Sequence, residues 1–124
     1  MQIRKWEENG TPIAVVELGG REKVVTDAQS ALDLAMTAQY ETGARRMAIP
    51  KAAIADAFFV LSTGLAGEIL QKYVNYHIKV AVWGEFSRYT SKPLRDFMRE
   101  SNEGNDVFFV ASEAEAIDRL AKAK

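Results

Sequence analysis

The stretch Ile78-Lys79-Val80-Ala81-Val82-Trp83-Gly84 is almost wholly apolar up to its closing glycine. A short valine-rich run of this kind has the pattern of a strand covered on both faces, and it belongs in the interior of a sheet. Working outward, Val107 to Val110 is a second such run. Met47 to Ile49 is a third, cut off by Pro50, which cannot donate to a ladder and favours starting a helix. Between them the pattern turns helical. Ser62-Thr63-Gly64 supplies cap-type residues before Leu65, Ile69, Tyr73 and Tyr76, which recur at intervals near four and mark one buried face to about Asn75. Glu68, Gln71, Lys72 and Asn75 then face away. Thr90 or Ser91 caps the next helix, with Pro93 in its first turn, Leu94, Phe97 and Met98 inward, and Gly104 as its stop. Ser112 with Glu115 has capping-box spacing for a last helix whose inner face is Ile117, Leu120 and Ala121.

Toward the N-terminus, Asn9-Gly10 reads as a two-residue turn between strands Gln2 to Glu8 and Pro12 to Leu18, because both turn positions tolerate positive φ. Asn9-Gly10-Thr11 also matches a glycosylation sequon, but Pro12 follows it and the turn reading is preferred. Lys23 to Val25 is expected to extend the sheet. Thr26 with Gln29 has capping-box spacing for a helix to about Tyr40, its stripe Ala31, Leu32, Ala35 and Ala38, closed by Gly43. Ala52 to Phe59 reads as a further helix. The expected fold is α/β, a single domain over residues 1–124. An N-terminal hairpin leads into alternating helices and strands, giving a mixed central sheet of four to five strands flanked by about four helices. The later strands should be parallel, joined by right-handed crossovers.

Composition narrows the chemistry. With 124 residues, 48% apolar and 27% charged, the chain can bury a sizeable core without staples. Sixteen Lys and Arg against seventeen Asp and Glu leave a net charge of −1, so no global field draws in nucleic acid or an anionic bilayer. Cysteine is absent and there is one histidine, which removes thiol catalysis, cysteine-ligated metals and multi-His metal sites. No cofactor is expected. Arg4, Lys5, Glu7 and Glu8 interrupt the opening segment where a secretory signal would be apolar, and runs such as Phe58 to Leu61 are far too short to span a bilayer. A cytoplasmic location with no membrane association is the expectation.

In open α/β sheets, ligands favour the loops beyond the carboxyl ends of the strands, here Pro50-Lys51, Gly84 to Tyr89 and Ala111-Ser112. Two groups of residues stand out. Ser62, Thr63 and Gly64 start a helix, where free backbone N–H groups suit an anion or an attached phosphate; the plainer role is an N-cap worth about 1 kcal/mol. Lys51, Glu85, Ser87 and Arg88 combine opposite charges with the neighbouring Phe86 and Tyr89, a mixture suited to recognising a peptide or a small ligand, or simply a solvated loop. His77 is read as structural at a helix end, Glu68 with Lys72 as an i, i+4 surface pair, and Arg45-Arg46 as solvated surface. Gly64 to Gly67 and Gly19-Gly20 match neither a P-loop nor a dinucleotide fingerprint.

A set of residues carries a family resemblance. Gln29-Ser30-Ala31-Leu32-Asp33-Leu34, Phe58-Phe59, Leu65 to Lys72, Asn75-Tyr76, Gly84 to Ser87, Tyr89 to Lys92, Glu100-Ser101-Asn102 and Phe108-Phe109-Val110 resemble the bacterial family catalogued as domain of unknown function 4180. That family label brings no activity. A looser likeness is to STAS domains of the anti-sigma-factor-antagonist type, whose switch is a hydroxyl residue followed by Gly-Leu at a helix start. Thr63-Gly64-Leu65 falls on that position, with Leu61 where those domains carry an acid two residues earlier. The resemblance implies a STAS-like fold and a phosphate switch at Thr63.

The leading functional expectation is a non-catalytic regulatory module that binds a protein partner, switched by phosphate at a helix N-terminus. The alternative is a small-molecule binder or enzyme using the crevice at the carboxyl ends of the strands, with Glu85 as acid or base. A third reading is a homo-oligomer assembled through an exposed apolar patch.

Overall fold

The computed structural model describes residues 1–124. Strands β1 (Gln2–Glu8) and β2 (Thr11–Glu17) form the expected hairpin. Asn9 and Gly10 connect them at φ 52° and 79°, two successive left-handed residues whose twist matches that of the strands. Helix α1 (Ala28–Thr42), β3 (Arg46–Pro50), α2 (Leu65–Asn75), β4 (Lys79–Trp83), α3 (Lys92–Asn102), β5 (Val107–Val110) and α4 (Glu113–Lys122) follow. The five strands lie in the order β1-β2-β3-β4-β5, antiparallel between β1 and β2 and parallel thereafter. Each crossover steps in the same direction across the sheet. With one hand of connection, that places all three crossover helices on the same face.

The period-2 alternation of the strands divides the core accordingly. Ala14, Met47, Ile49, Val80, Val82 and Phe109 point to the side holding α1, α2 and α3, where Leu34, Ile69, Tyr73, Leu94 and Met98 meet them. Ile13, Val15, Ala48, Ala81, Phe108 and Val110 point to the other side, covered by Ala116, Ile117 and Leu120 of α4. Ala48 and Ala81 are register partners in the middle of that face. Two adjacent methyl groups there give α4 room to approach the sheet closely.

Several expectations are corrected. The segment from Ala52 to Phe59 is not an α-helix: three short 3₁₀ turns, Lys51–Ala53, Asp56–Phe59 and Leu61–Thr63, carry the chain from β3 to α2. Its buried residues come as adjacent pairs, Ala53-Ile54 and Phe58-Phe59, which no single helical stripe can face inward. Val25 does not extend the sheet; it makes one isolated bridge to Ile54. Helix α1 is capped by Asp27 rather than Thr26, in a reciprocal box in which Ser30 N–H donates to the Asp27 carboxylate and Asp27 N–H donates to the Ser30 hydroxyl. Leu34 joins the core from α1, whereas Leu32 is only half-buried. Tyr76 lies beyond the end of α2 and is 47% exposed.

The sheet's two edges are finished differently. At β5, the Asn102 amide donates to Phe109 O (3.0 Å) and its oxygen accepts from Phe109 N–H (2.7 Å), as a neighbouring strand would. No side chain bonds the outer backbone of β1 in this way.

Candidate functional site

The carboxyl ends of β2 to β5 open onto a trough bounded by α4 on one side and, in part, by Asn102 of α3 and Phe109 on the other. One half is a crevice of about 680 Å³ lined by Trp83, Glu85, Phe86, Ser87, Phe109 and Arg119, among others. The other is a hollow of about 360 Å³ beside Glu17, Leu18, Pro50 and Glu113. Both include Trp83, the last residue of β4, which therefore lies where the two meet. The Trp83 indole Nε1 is covered and has no hydrogen-bond acceptor in the chain. A covered donor left unpaired costs about 1–3 kcal/mol.

Gly84 turns the chain out of β4 at φ 157°, and a Cβ placed there would lie 2.8 Å from Cβ of Lys51. The missing side chain lets the Lys51 stem cross the end of β4 and reach the following loop. The Lys51 ammonium donates to Glu85 O (3.1 Å) and sits 4.6 Å from the centroid of the Tyr89 ring, with Phe59 and Phe86 each at 6.0 Å. Those rings pack on each other. Tyr89 stacks on Phe59 at 5.3 Å, and Phe86 meets Phe109 edge-on at 5.9 Å, so an aromatic layer runs from the core to the lip of the crevice. In front of it, the Ser87 N–H donates to Glu85 Oε1 at 2.7 Å. Hydrogen bonds from Ser87, helped by the positive charges of Arg88 and Lys51, hold the Glu85 carboxyl below the usual carboxylate range, so it stays charged at neutral pH.

The structure places Lys51, Glu85, Ser87 and Arg88 about the loop that follows β4, with Lys51 bonded to that loop rather than free on the open surface. Ser62, Thr63 and Gly64 form a separate turn, joined to this layer through the 3₁₀ turn that carries Phe59. The N-cap of α2 is Gly64, at φ 76° and with no side-chain cap, so neither Ser62 nor Thr63 is the cap. Gly64 takes that place because the preceding 3₁₀ turn ends in a left-handed residue, a conformation glycine adopts without strain. The Thr63 hydroxyl instead fastens the turn, with Ala57 O at 2.8 Å and Val60 O at 2.9 Å, and accepts from Leu65 N–H at 3.2 Å. Ser62 is exposed and its hydroxyl makes no hydrogen bond within the chain. At the start of α2, the N–H groups of Ala66 and Gly67 precede the first intrahelical bond.

His77, at φ 59°, lies at the other end of the strands, in a hollow of about 450 Å³ with Arg45, Arg46 and Lys79. It is a strand's length away from Ser87 and forms no nucleophile and base pair with it. Two of the cations of that hollow are engaged, Arg46 with the carbonyls of Leu120 and Ala123 and Lys79 with Asp106 and Asn105 O, whereas Arg45 forms no ion pair. Arg45 and Arg46 are therefore not alike, since Arg46 binds the C-terminal end of α4. The i, i+4 pair expected between Glu68 and Lys72 does not form; on that face Gln71 bonds Asn75 instead.

A family model described as Domain of unknown function (DUF4180) matches residues 8–120. The chain belongs to that family. The match spans both halves of the trough and the Ser62-Thr63-Gly64 turn. No curated protein and no solved structure matches this DUF4180 chain. No helix is long and apolar enough to cross a membrane.

Proposed function

We propose that this DUF4180 domain is a non-catalytic protein-binding module whose trough holds an extended, basic segment of a partner. The observation that carries the reading is Trp83, which lines both hollows and whose covered Nε1 has no acceptor within the chain. An extended peptide offers a carbonyl acceptor at each residue, whereas a compact ligand would fill only one hollow. Charge supports a basic segment: Glu85 and Glu115 line the trough with no ion pair, Glu17 and Glu113 line it held by Arg4, and Arg119, its one lining cation, is spent on Asn102 O and the face of Phe108.

Regulation by phosphate belongs to the same reading, supported by the exposed Ser62-Thr63-Gly64 turn and its likeness to the STAS switch. A phosphoryl group on Thr63 would break the bonds to Ala57 O and Val60 O and add about −1.5 to −2 charges beside the N–H groups of Ala66 and Gly67. Loosening that turn would reach the trough through Phe59 and Tyr89.

The test is selection of short random peptides displayed on phage against wild type, Trp83→Phe and Phe86→Ala. The expected result is enrichment of peptides rich in Lys and Arg on wild type and their loss on both variants. Peptides that bind all three chains equally would refute the trough. A flat peptide selection beside a metabolite that raises the melting temperature would favour the small-molecule reading. Thr63→Glu and Thr63→Val should change the affinity of the selected peptides; unchanged affinity in both removes the switch.

A further inference from the structure

Strand β1 reads Arg4-Lys5-Trp6-Glu7-Glu8: two cations, an indole and two carboxylates. Turned end for end, this series sets Arg4 against Glu8 and Lys5 against Glu7, with Trp6 meeting itself at the centre. We propose that β1 pairs antiparallel with β1 of a second copy, about a two-fold axis through Trp6, so that two five-stranded sheets become one.

The hairpin's register fixes which backbone groups are free. In a two-residue hairpin the flanking pair, here Glu8 and Thr11, is hydrogen-bonded, and the bonded pairs then alternate. Trp6 with Ile13 and Arg4 with Val15 are therefore bonded pairs, and the N–H and C=O groups of Ile3, Lys5 and Glu7 point away from β2. Only these outward residues can bond a new strand. Pairing them about Trp6 sets Lys5 opposite the second copy's Glu7, each exchanging two backbone hydrogen bonds, with the symmetric pair repeating them. A two-fold centred on Lys5 would instead oppose Lys5 to itself, which is unfavourable.

The side chains agree with that register. Neither Lys5 nor Glu7 forms an ion pair within the chain, so both are available to the facing strand. On the α4 side, Trp6 is 40% exposed, with the Arg4 guanidinium 5.6 Å from its ring centroid and its Nε1 donating to Glu8 Oε1 at 3.0 Å. The two Trp6 side chains would meet in a non-hydrogen-bonded pair, the closer of the two antiparallel spacings and one that suits aromatic contacts. Arg4 already holds Glu17 and Glu113, so the Lys5–Glu7 pairs are the ones that discriminate. Because Asn102 closes the opposite edge, the assembly ends at a symmetric dimer instead of growing into a fibre. One strand pair buries little area, so the dimer exchanges with monomer.

Sedimentation equilibrium across a concentration series tests this. Wild type is expected to show a monomer–dimer equilibrium that weakens at high salt. Lys5→Glu and Glu7→Lys should each weaken it by about tenfold or more, since like charges then face each other. The double change Lys5→Glu/Glu7→Lys should restore it, and all three variants should melt with wild type when monomeric. In this cysteine-free chain, Trp6→Cys should cross-link two copies on oxidation and Arg4→Cys should not. A monomeric wild type at every concentration, a charge-swapped double variant that stays monomeric, or a Trp6→Cys chain that never cross-links would each overturn the proposal.

Discussion

Replacing Asn102 by alanine removes the only two hydrogen bonds that finish the β5 edge, those to the N–H and C=O of Phe109. Phe109 is 5% exposed, so these two backbone groups are poorly placed to find water in exchange. At about 0.5–1.5 kcal/mol net for each bond, the loss should amount to about 1–3 kcal/mol. An unfolding entropy of about 2.1 cal/mol/K per residue converts each kcal/mol to about 4 °C for a chain of this length, so the melting midpoint should fall by about 4–12 °C. Urea titration followed by far-UV circular dichroism gives the free energy directly, with an unchanged m-value if the native and unfolded states keep their surfaces. Asn102→Asp separates the two bonds. It keeps the acceptor for the Phe109 N–H but turns the donor into a carboxylate facing a carbonyl, and protonation at low pH restores an O–H donor. The stability gap between Asn102→Asp and wild type should therefore narrow as pH falls through the carboxylate range. An Asn102→Ala chain within about 0.5 kcal/mol of wild type would refute the idea that a side chain closes this edge.

Three further outcomes are expected. Tyr73→Phe should stabilise the chain by about 1 kcal/mol in urea titration, because the Tyr73 hydroxyl is buried without a partner. Burial also pushes the Tyr73 phenol well above its ordinary value of 10.0, so the stability it allows is full below about pH 10 and falls as pH rises beyond it, where only the unfolded chain ionises. That alkaline loss should be smaller in Tyr73→Phe. Gly84→Ala should cost about 1–3 kcal/mol by forcing a methyl against Lys51 Cβ. Lys51→Gly in the same chain should recover part of that cost, and strict additivity of the two changes would count against the close approach. Hydrogen bonds from Ser87 hold the Glu85 carboxyl below its ordinary value of 4.5, so the Ser87 N–H bond should be intact above that pH and lost as pH falls through the lower folded value. The Ser87 amide chemical shift reads this directly, and Glu85→Gln should abolish the titration.

The hairpin was legible because Asn9-Gly10 leaves little choice of turn, β3 and β4 because their apolar runs are closed by Pro50 and Gly84, and β5 because its four apolar residues lie between Gly104 and the Ser112 cap. The passage from Lys51 to Thr63 was not. Its alanines favour a helix locally, while the buried Phe58-Phe59 pair imposes a tertiary demand that helical spacing cannot meet. The loop after β4 was identified, and Lys51, Glu85, Ser87 and Arg88 lie about it. Its supporting layer was hidden, because Phe59 and Tyr89 are far apart in sequence and stack only once the sheet is assembled. Trp83 was missed as a site residue since an indole ending an apolar run reads as core. The signal available was its position, last in a parallel strand and followed by glycine. Thr63 was read as a candidate N-cap, but Gly64 takes that place, because the cap's identity depends on the backbone of the 3₁₀ turn before it.

Trp83 and Trp6 are the two tryptophans of the chain, so the indole N–H region of a proton–nitrogen correlation spectrum holds two signals, assignable with Trp6→Phe. Titrating in the basic peptides selected on wild type should move the Trp83 indole signal downfield as its N–H gains an acceptor, with the Trp6 signal fixed. Saturable binding of those peptides with Trp83 unmoved would contradict the trough as the place where this domain meets its partner.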